Sequence, residues 1–307
     1  MLQALQGLST IWLVIVAGWV LAHVGVFSDS ARRVLARTAF VVAMPALLVQ
    51  MMARADLGRL FSRALAVSVL AVVVAIVAYV LVATLVFKRP LAHQVIGALT
   101  SSYTNVANIG LPIATYVLGD ASWVAPVLLV QVGLLQPAAL MILDASSHEG
   151  RVSVGRYLSM PFRNPITVAV VIGVLLNVTH LQLPELVGTA MDSVGKMAVP
   201  LMLLAFGVSL RVDPRPGKDS PAAELWWVQA IKLVLQPLSA YALATWVFHL
   251  DAHSVLAVTL LASLPTATVV HVVATRYGTA EQLARDGVFW STVLSVPVVV
   301  AVSALLR

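Results

Sequence analysis

The sequence predicts an all-α integral membrane protein with ten transmembrane helices. These form two inverted five-helix repeats whose helices 4 and 9 are broken and cross. Three observations predict this: an extreme composition, a long internal repeat, and breaks at matching places in the two halves. Of 307 residues, 60% are hydrophobic and only 10% charged, and the mean hydropathy is +0.96. Soluble domains are less apolar and more charged than this.

The repeat is visible in single residues. Ile11, Gly18 and Pro45 recur as Ile166, Gly173 and Pro200 at an offset of 155. His93, Ala114, Thr115 and Pro137 recur as His253, Ala274, Thr275 and Pro297 at an offset of 160, and Ala78–Phe87 matches Ala240–Phe248 with one residue deleted. Each half holds an odd number of apolar segments, so the second copy must insert in the opposite sense. The halves are 1–144 and 164–307, joined by a cytoplasmic linker over 145–163.

A bilayer core of about 30 Å takes roughly 20 apolar residues per helix. Ten such runs fall at approximately 8–27, 34–53, 61–87, 93–118, 122–144, 164–181, 188–210, 223–250, 253–276 and 284–306. Lipid offers an open backbone no hydrogen-bond partner, so the spans must be helices. With the N-terminus outside, the cytoplasmic connections hold Arg32, Arg33, Arg37, Lys88, Arg89, Arg151, Arg156, Arg163, Arg211, Arg215, Lys218, Arg276 and Arg285, while Arg54, Arg59, Arg63 and Arg307 lie outside. Basic residues favour the cytoplasmic side. The protein is therefore expected to be multi-pass in the cytoplasmic (inner) membrane, with both termini non-cytoplasmic.

The net charge of +6 is spread over short loops, which argues against a nucleic-acid partner. No Lys or Arg precedes Arg32, so the first span is expected to remain in place rather than act as a cleaved signal. The absence of cysteine excludes disulfides and thiolate metal sites. No Gly-x-x-x-x-Gly-Lys-Ser/Thr loop occurs, so no attached nucleotide-binding engine is expected. No cofactor and no metal are expected.

The most polar stretch inside an apolar run is Thr100–Pro112 in the fourth span. Pro112 has no N–H for the carbonyl of Asn108, and Gly110 eases a non-helical backbone, so the helix is expected to open there. Ser102, Thr104, Asn105 and Asn108 supply polar groups for the freed backbone. The matching span of the second half carries Ser263-Leu-Pro-Thr-Ala-Thr268, where Pro265 releases a carbonyl and Thr266 and Thr268 can bond nearby backbone. A lone proline usually marks a kink. Two in register point to half-helix N-termini meeting near the midplane, a setting suited to an anion. The paired Pro45/Pro200 and Pro137/Pro297 lack polar company and are read as kinks.

Ionisable groups within spans need a partner, water or a role. Lys196 and Lys232 either snorkel to an interface or face the carboxylate of a substrate. His271, six residues beyond Pro265, is either a hydrogen-bonded structural histidine or a proton-coupling group. Asp144 is assigned to the cytoplasmic loop. Gln131, Gln136, Gln229 and Gln236 should face protein rather than lipid, with Gln136 and Gln236 satisfying backbone freed by Pro137 and Pro237.

The motif Asn105-Val-Ala-Asn-Ile-Gly-Leu-Pro112 resembles the Asn-x-Gly-Phe-x-Gly-Leu-Pro pattern of the auxin efflux carrier family, and Leu264–Gly278 resembles its late Pro-Thr-Ala…Ala-x-x-Tyr-Gly segment. The resemblance implies a fold shared distantly with bile-acid sodium symporters. It also implies a scaffold of spans 1, 2, 6 and 7, a mobile transport domain of spans 3–5 and 8–10, and a homodimer through scaffold helices. Asn105 and Pro265 take the crossover positions. Bacterial members of that family are permeases for malonate and similar acids, and plant members export auxin. Ala107 and Asn108 stand where the pattern more often has Gly and Phe, His271 where it is usually apolar, and Val269 where an Asn is common. These departures favour a more polar substrate than an aromatic acid.

The expected function is a secondary transporter of a small organic anion, working by alternating access. Its substrate site would comprise Ser102, Thr104, Asn105, Asn108, Gly110, Pro112, Pro265, Thr266 and Thr268. Coupling to a proton or sodium is open, with His271, Lys196 and Lys232 as coupling or anion partners. Membrane lipid is the other partner. A receptor that binds such a ligand without moving it is the alternative. An enzyme is not expected, because no His-Glu-x-x-His, Gly-x-Ser-x-Gly or paired membrane aspartates occur.

Overall fold

A computed structural model describes residues 2–54, 62–146, 165–212 and 221–306. Arg59, most of the 145–163 linker with Arg151, Arg156 and Arg163, and Arg215, Lys218 and Arg307 lie outside the described residues, as does the side chain of Asn108. The described secondary structure is helical, with one isolated β-bridge. Among the described residues, six helices are long and apolar enough to cross a membrane: Asp29–Ala53, Arg63–Leu85, Ala121–Ser146, Glu185–Val212, Ala222–Val247 and Glu281–Leu305. Leu13–His23, Val168–Val178 and Ala252–Ala262 are shorter apolar helices.

The chain divides into two compact units. The first comprises Met1–Leu60, Leu111–Val132 and Ser159–Pro214. In it the helix Leu2–His23 packs along Ala198–Val212, and Met44–Ala53 along Pro165–Val178. Lipid gives no hydrophobic drive to associate helices, so close packing through small residues must do so. A Cβ at Gly18 would lie 2.4 Å from the Leu204 carbonyl oxygen, and one at Gly173 2.8 Å from that of Val49. These glycines are the pair related by the 155-residue offset, so the repeat keeps a packing requirement. Asn177 Nδ2 donates to the carbonyls of Met52 and Ala53, each at 3.0 Å, at the end of its neighbour helix.

The second unit comprises Phe61–Gly110, Gly133–Leu158 and Arg215–Arg307. The helix Arg63–Leu85 shows how burial is split along one span. Ala64, Val67, Ala71, Ala75, Tyr79 and Ala83 are buried, while Leu70, Val73, Val77, Leu81 and Leu85 are exposed. Helical spacing puts the alanines, with Val67 and Tyr79, on the protein face and leaves large apolar residues on the face open to lipid. Leu91–Ser102 packs on this helix, and Glu281–Leu305 lies against Leu91–Ser102, Ala222–Ala230, Ala252–Ala262 and Val269–Tyr277.

Four prolines shape these helices through π-turns rather than gaps. The five-residue π-turns Ala39–Ala43, Val106–Gly110, Gln131–Leu135 and Ile231–Leu235 each end two residues before a proline, namely Pro45, Pro112, Pro137 and Pro237. A proline removes one i→i−4 bond and crowds the preceding turn, and widening that turn to i→i−5 pairing relieves both. Pro297 lies within the continuous helix Glu281–Leu305.

Candidate functional site

The fourth apolar run is interrupted at Tyr103–Asn105, not at Gly110–Pro112 as the proline suggested. Leu91–Ser102 ends where Tyr103 turns extended, at φ −77° and ψ 107°. Three buried hydroxyls mark the last turn: Thr100 Oγ1 donates to Ile96 O at 2.7 Å, and Ser101 and Ser102 donate to Ala98 O at 3.1 and 2.6 Å. Such back-bonding weakens a helix locally. Helix resumes at Val106 as a π-turn, with Asn105 O accepting from Ile109 and Gly110. Pro112 is buried in a short helical stretch of the first unit, so its part is to widen the preceding turn rather than to open it.

The ninth run is interrupted at Ser263–Thr268, between Ala252–Ala262 and Val269–Tyr277. Within the second unit the two interruptions meet. Thr104 and Thr266 form an antiparallel bridge. Asn105 N–H donates to Pro265 O at 2.7 Å, and Ala267 N–H donates to Tyr103 O at 3.0 Å. Backbone released by each break is thus satisfied by the other, as an apolar setting requires. Thr266 completes the crossing: its N–H donates to Ser291 Oγ at 3.0 Å and its Oγ1 to Thr100 O at 2.5 Å. A Cβ on Gly110 would lie 2.8 Å from Leu264 Cδ1, so a larger residue there would have to displace that buried side chain.

Lys232 joins this crossing. It has no exposed surface, sits in the π-turn before Pro237, and donates from Nζ to Thr104 Oγ1 at 2.9 Å and Gln236 Oε1 at 2.6 Å. Gln236 Nε2 in turn donates to Ser102 O at 3.2 Å. Gln236 therefore bonds Ser102 of the neighbouring break, rather than backbone freed by Pro237 as the sequence suggests, and orients the lysine there. Gln136 likewise reaches outward, accepting from Tyr103 Oη at 3.2 Å.

The structure gathers Ser102, Thr104, Asn105, Gly110, Pro265, Thr266 and Lys232 in one unit. Thr268 is exposed at the start of Val269–Tyr277. His271, in that helix, has its Nδ1 buried with no hydrogen-bond partner among the described residues. Lys196 belongs to the first unit, is exposed and pairs with Asp192 at 2.8 Å. Asp144 is not a loop residue; it lies in the helix Gln136–Ser146 and accepts a hydrogen bond from Tyr277.

Sequence reasoning missed a second polar centre in the same unit. Glu224, with no exposed surface, accepts at Oε1 from Tyr79 Oη at 2.8 Å. At Oε2 it accepts from Arg89 Nε and Nη2 at 2.9 and 2.6 Å. His93 Nε2 lies 2.8 Å from Oε1. The one signal in the sequence was an acidic residue just inside an apolar run. Its partners lie more than a hundred positions away.

Two copies of one family model, described as "Membrane transport protein", match residues 4–154 and 151–302. The chain therefore belongs to this family, the auxin efflux carrier family, and its two repeats are those of a multi-pass membrane transporter. It is similar to a protein of Rhizobium meliloti (strain 1021) named "Putative malonate transporter", with 28% identity over 227 residues covering 72% of this chain and 69% of that protein.

Proposed function

We propose that the protein is a secondary transporter that moves a small organic anion, a mono- or dicarboxylate of malonate-like or auxin-like chemistry, across the cytoplasmic membrane by alternating access. The observation that carries this reading is the bridge between two interrupted helices with the wholly buried Lys232 donating to Thr104 within it. A cation at membrane depth is retained only for a partner or a role, and helices that restart at Val106 and Val269 bring positive dipole ends to the same crossing. The name of the Rhizobium relative extends the reading to malonate.

On this reading the chain has ten spans in two inverted repeats, with both termini outside. The transport domain, spans 3–5 and 8–10, holds the crossing, spans 1, 2, 6 and 7 are the scaffold, and two copies pair through scaffold helices. Asn105, 2% exposed at the crossing, contacts the anion together with Thr104. The test is flux of labelled malonate, succinate and an indole acid in reconstituted vesicles, comparing wild type with Asn105→Ala. Wild-type flux that falls in the variant at equal incorporation supports the reading. Equal flux removes the crossing from the mechanism, and binding without flux favours a receptor.

A further inference from the structure

Lys232 Nζ meets two oxygens, Thr104 Oγ1 and Gln236 Oε1. Both are neutral, and both side chains are oriented by one carbonyl, since Thr104 Oγ1 and Gln236 Nε2 donate to Ser102 O at 3.4 and 3.2 Å. A neutral amine has two N–H donors and an ammonium three. The two acceptors match the amine, and the third N–H of the ammonium has none among the described residues. The elements packed against this turn carry Arg63 and Tyr79 (Arg63–Leu85), His93 (Leu91–Ser102), Glu224 (Ala222–Ala230), Tyr241 (Gln236–Ala242), and Glu281, Arg285 and Asp286 (Glu281–Leu305). Glu224 is held by Tyr79, Arg89 and His93, and Asp286 pairs with Arg285. No described carboxylate forms an ion pair with Lys232.

A buried charge without a counter-charge is heavily penalised, and the group sheds the charge instead. The same holds for a carboxylate entering the site alone. Arriving together, each removes the other's penalty. We propose that Lys232 is the counter-charge of the transported anion and that one proton enters the site with the carboxylate it pairs with. The proton adds to the amine lone pair, the third N–H then donates to a carboxylate oxygen, and no covalent bond forms or breaks. A monocarboxylate loads the site with no net change in charge; a dianion leaves one negative charge.

This rests on the organic-anion reading, and calorimetry separates the two. Malonate is titrated into the purified full-length protein at neutral and alkaline pH, in two buffers of different ionisation enthalpy, and the difference in heat counts the protons taken up. Wild type is expected to take up close to one proton per malonate at alkaline pH. Lys232→Met should bind on the order of tenfold to a hundredfold more weakly without that uptake. Lys232→Arg, which keeps a fixed charge, should bind malonate with no uptake. Binding by wild type with equal heats in both buffers, or unchanged uptake in Lys232→Arg, overturns the proposal and leaves the organic-anion reading intact. No binding of malonate or succinate by wild type overturns that reading and the proposal with it.

Discussion

Replacing Glu224 by alanine probes the polar centre of the second unit. The substitution removes the acceptor of Tyr79 Oη, of two Arg89 N–H groups and of His93. Breaking a buried ion pair by removing one partner costs about 3–5 kcal/mol. Here the Arg89 and His93 side chains keep 29% and 17% exposure and recover part of their solvation. Tyr79 is fully buried and does not, which alone is worth about 1–3 kcal/mol. A loss of about 3 kcal/mol is therefore expected, near the lower end of the buried-pair range. Equilibrium unfolding in mixed micelles measures it, with Tyr79→Phe and the double variant closing a cycle. The two losses should be clearly less than additive, because both delete the Tyr79–Glu224 bond. A Glu224→Ala variant within about 0.5 kcal/mol of wild type would refute this account of the cluster.

Other expectations follow from single contacts. Gly97→Ala places a Cβ 1.9 Å from Tyr79 Oη; overpacking of this kind should destabilise by about 1–3 kcal/mol, read by thermal unfolding. Thr266→Val leaves the buried Thr100 carbonyl without its donor and should destabilise by about 1–3 kcal/mol while keeping the side-chain shape. Asp251 caps Ala252–Ala262 by accepting from Ser254 N–H at 3.0 Å, so Asp251→Ala should lose about 1 kcal/mol. Its bonds to Ser254 hold the Asp251 carboxyl below its ordinary 3.8. The difference between wild type and variant should thus be constant above that pH and vanish as pH falls through the folded value.

The sequence conveyed the membrane class, the duplication and the two interrupted runs, because these depend on composition and on residues close together in the chain. It misplaced the first interruption for an instructive reason. Pro112 lacks the N–H that an unbroken helix needs, yet a π-turn absorbs it and the chain opens earlier, where Tyr103 and Asn105 bond to Ala267 and Pro265. A backbone partner some 160 positions away leaves no local mark. The same limit hid Glu224 with its partners and the link from Gln236 to Ser102. Lys232 was visible as a charge in an apolar run, but its full burial and neutral partners were not.

The central claim is that the crossing of interrupted helices holds an organic anion. The chain has no cysteine, so a Thr104→Cys variant carries one thiol, placed at a position 3% exposed within the bridge. Its rate of maleimide modification in vesicles, with and without malonate, tests the claim most directly. The account predicts measurable modification as the site opens and slower modification at saturating malonate, with no such effect of an equal concentration of chloride. A rate unchanged by malonate, succinate and an indole acid alike would contradict it.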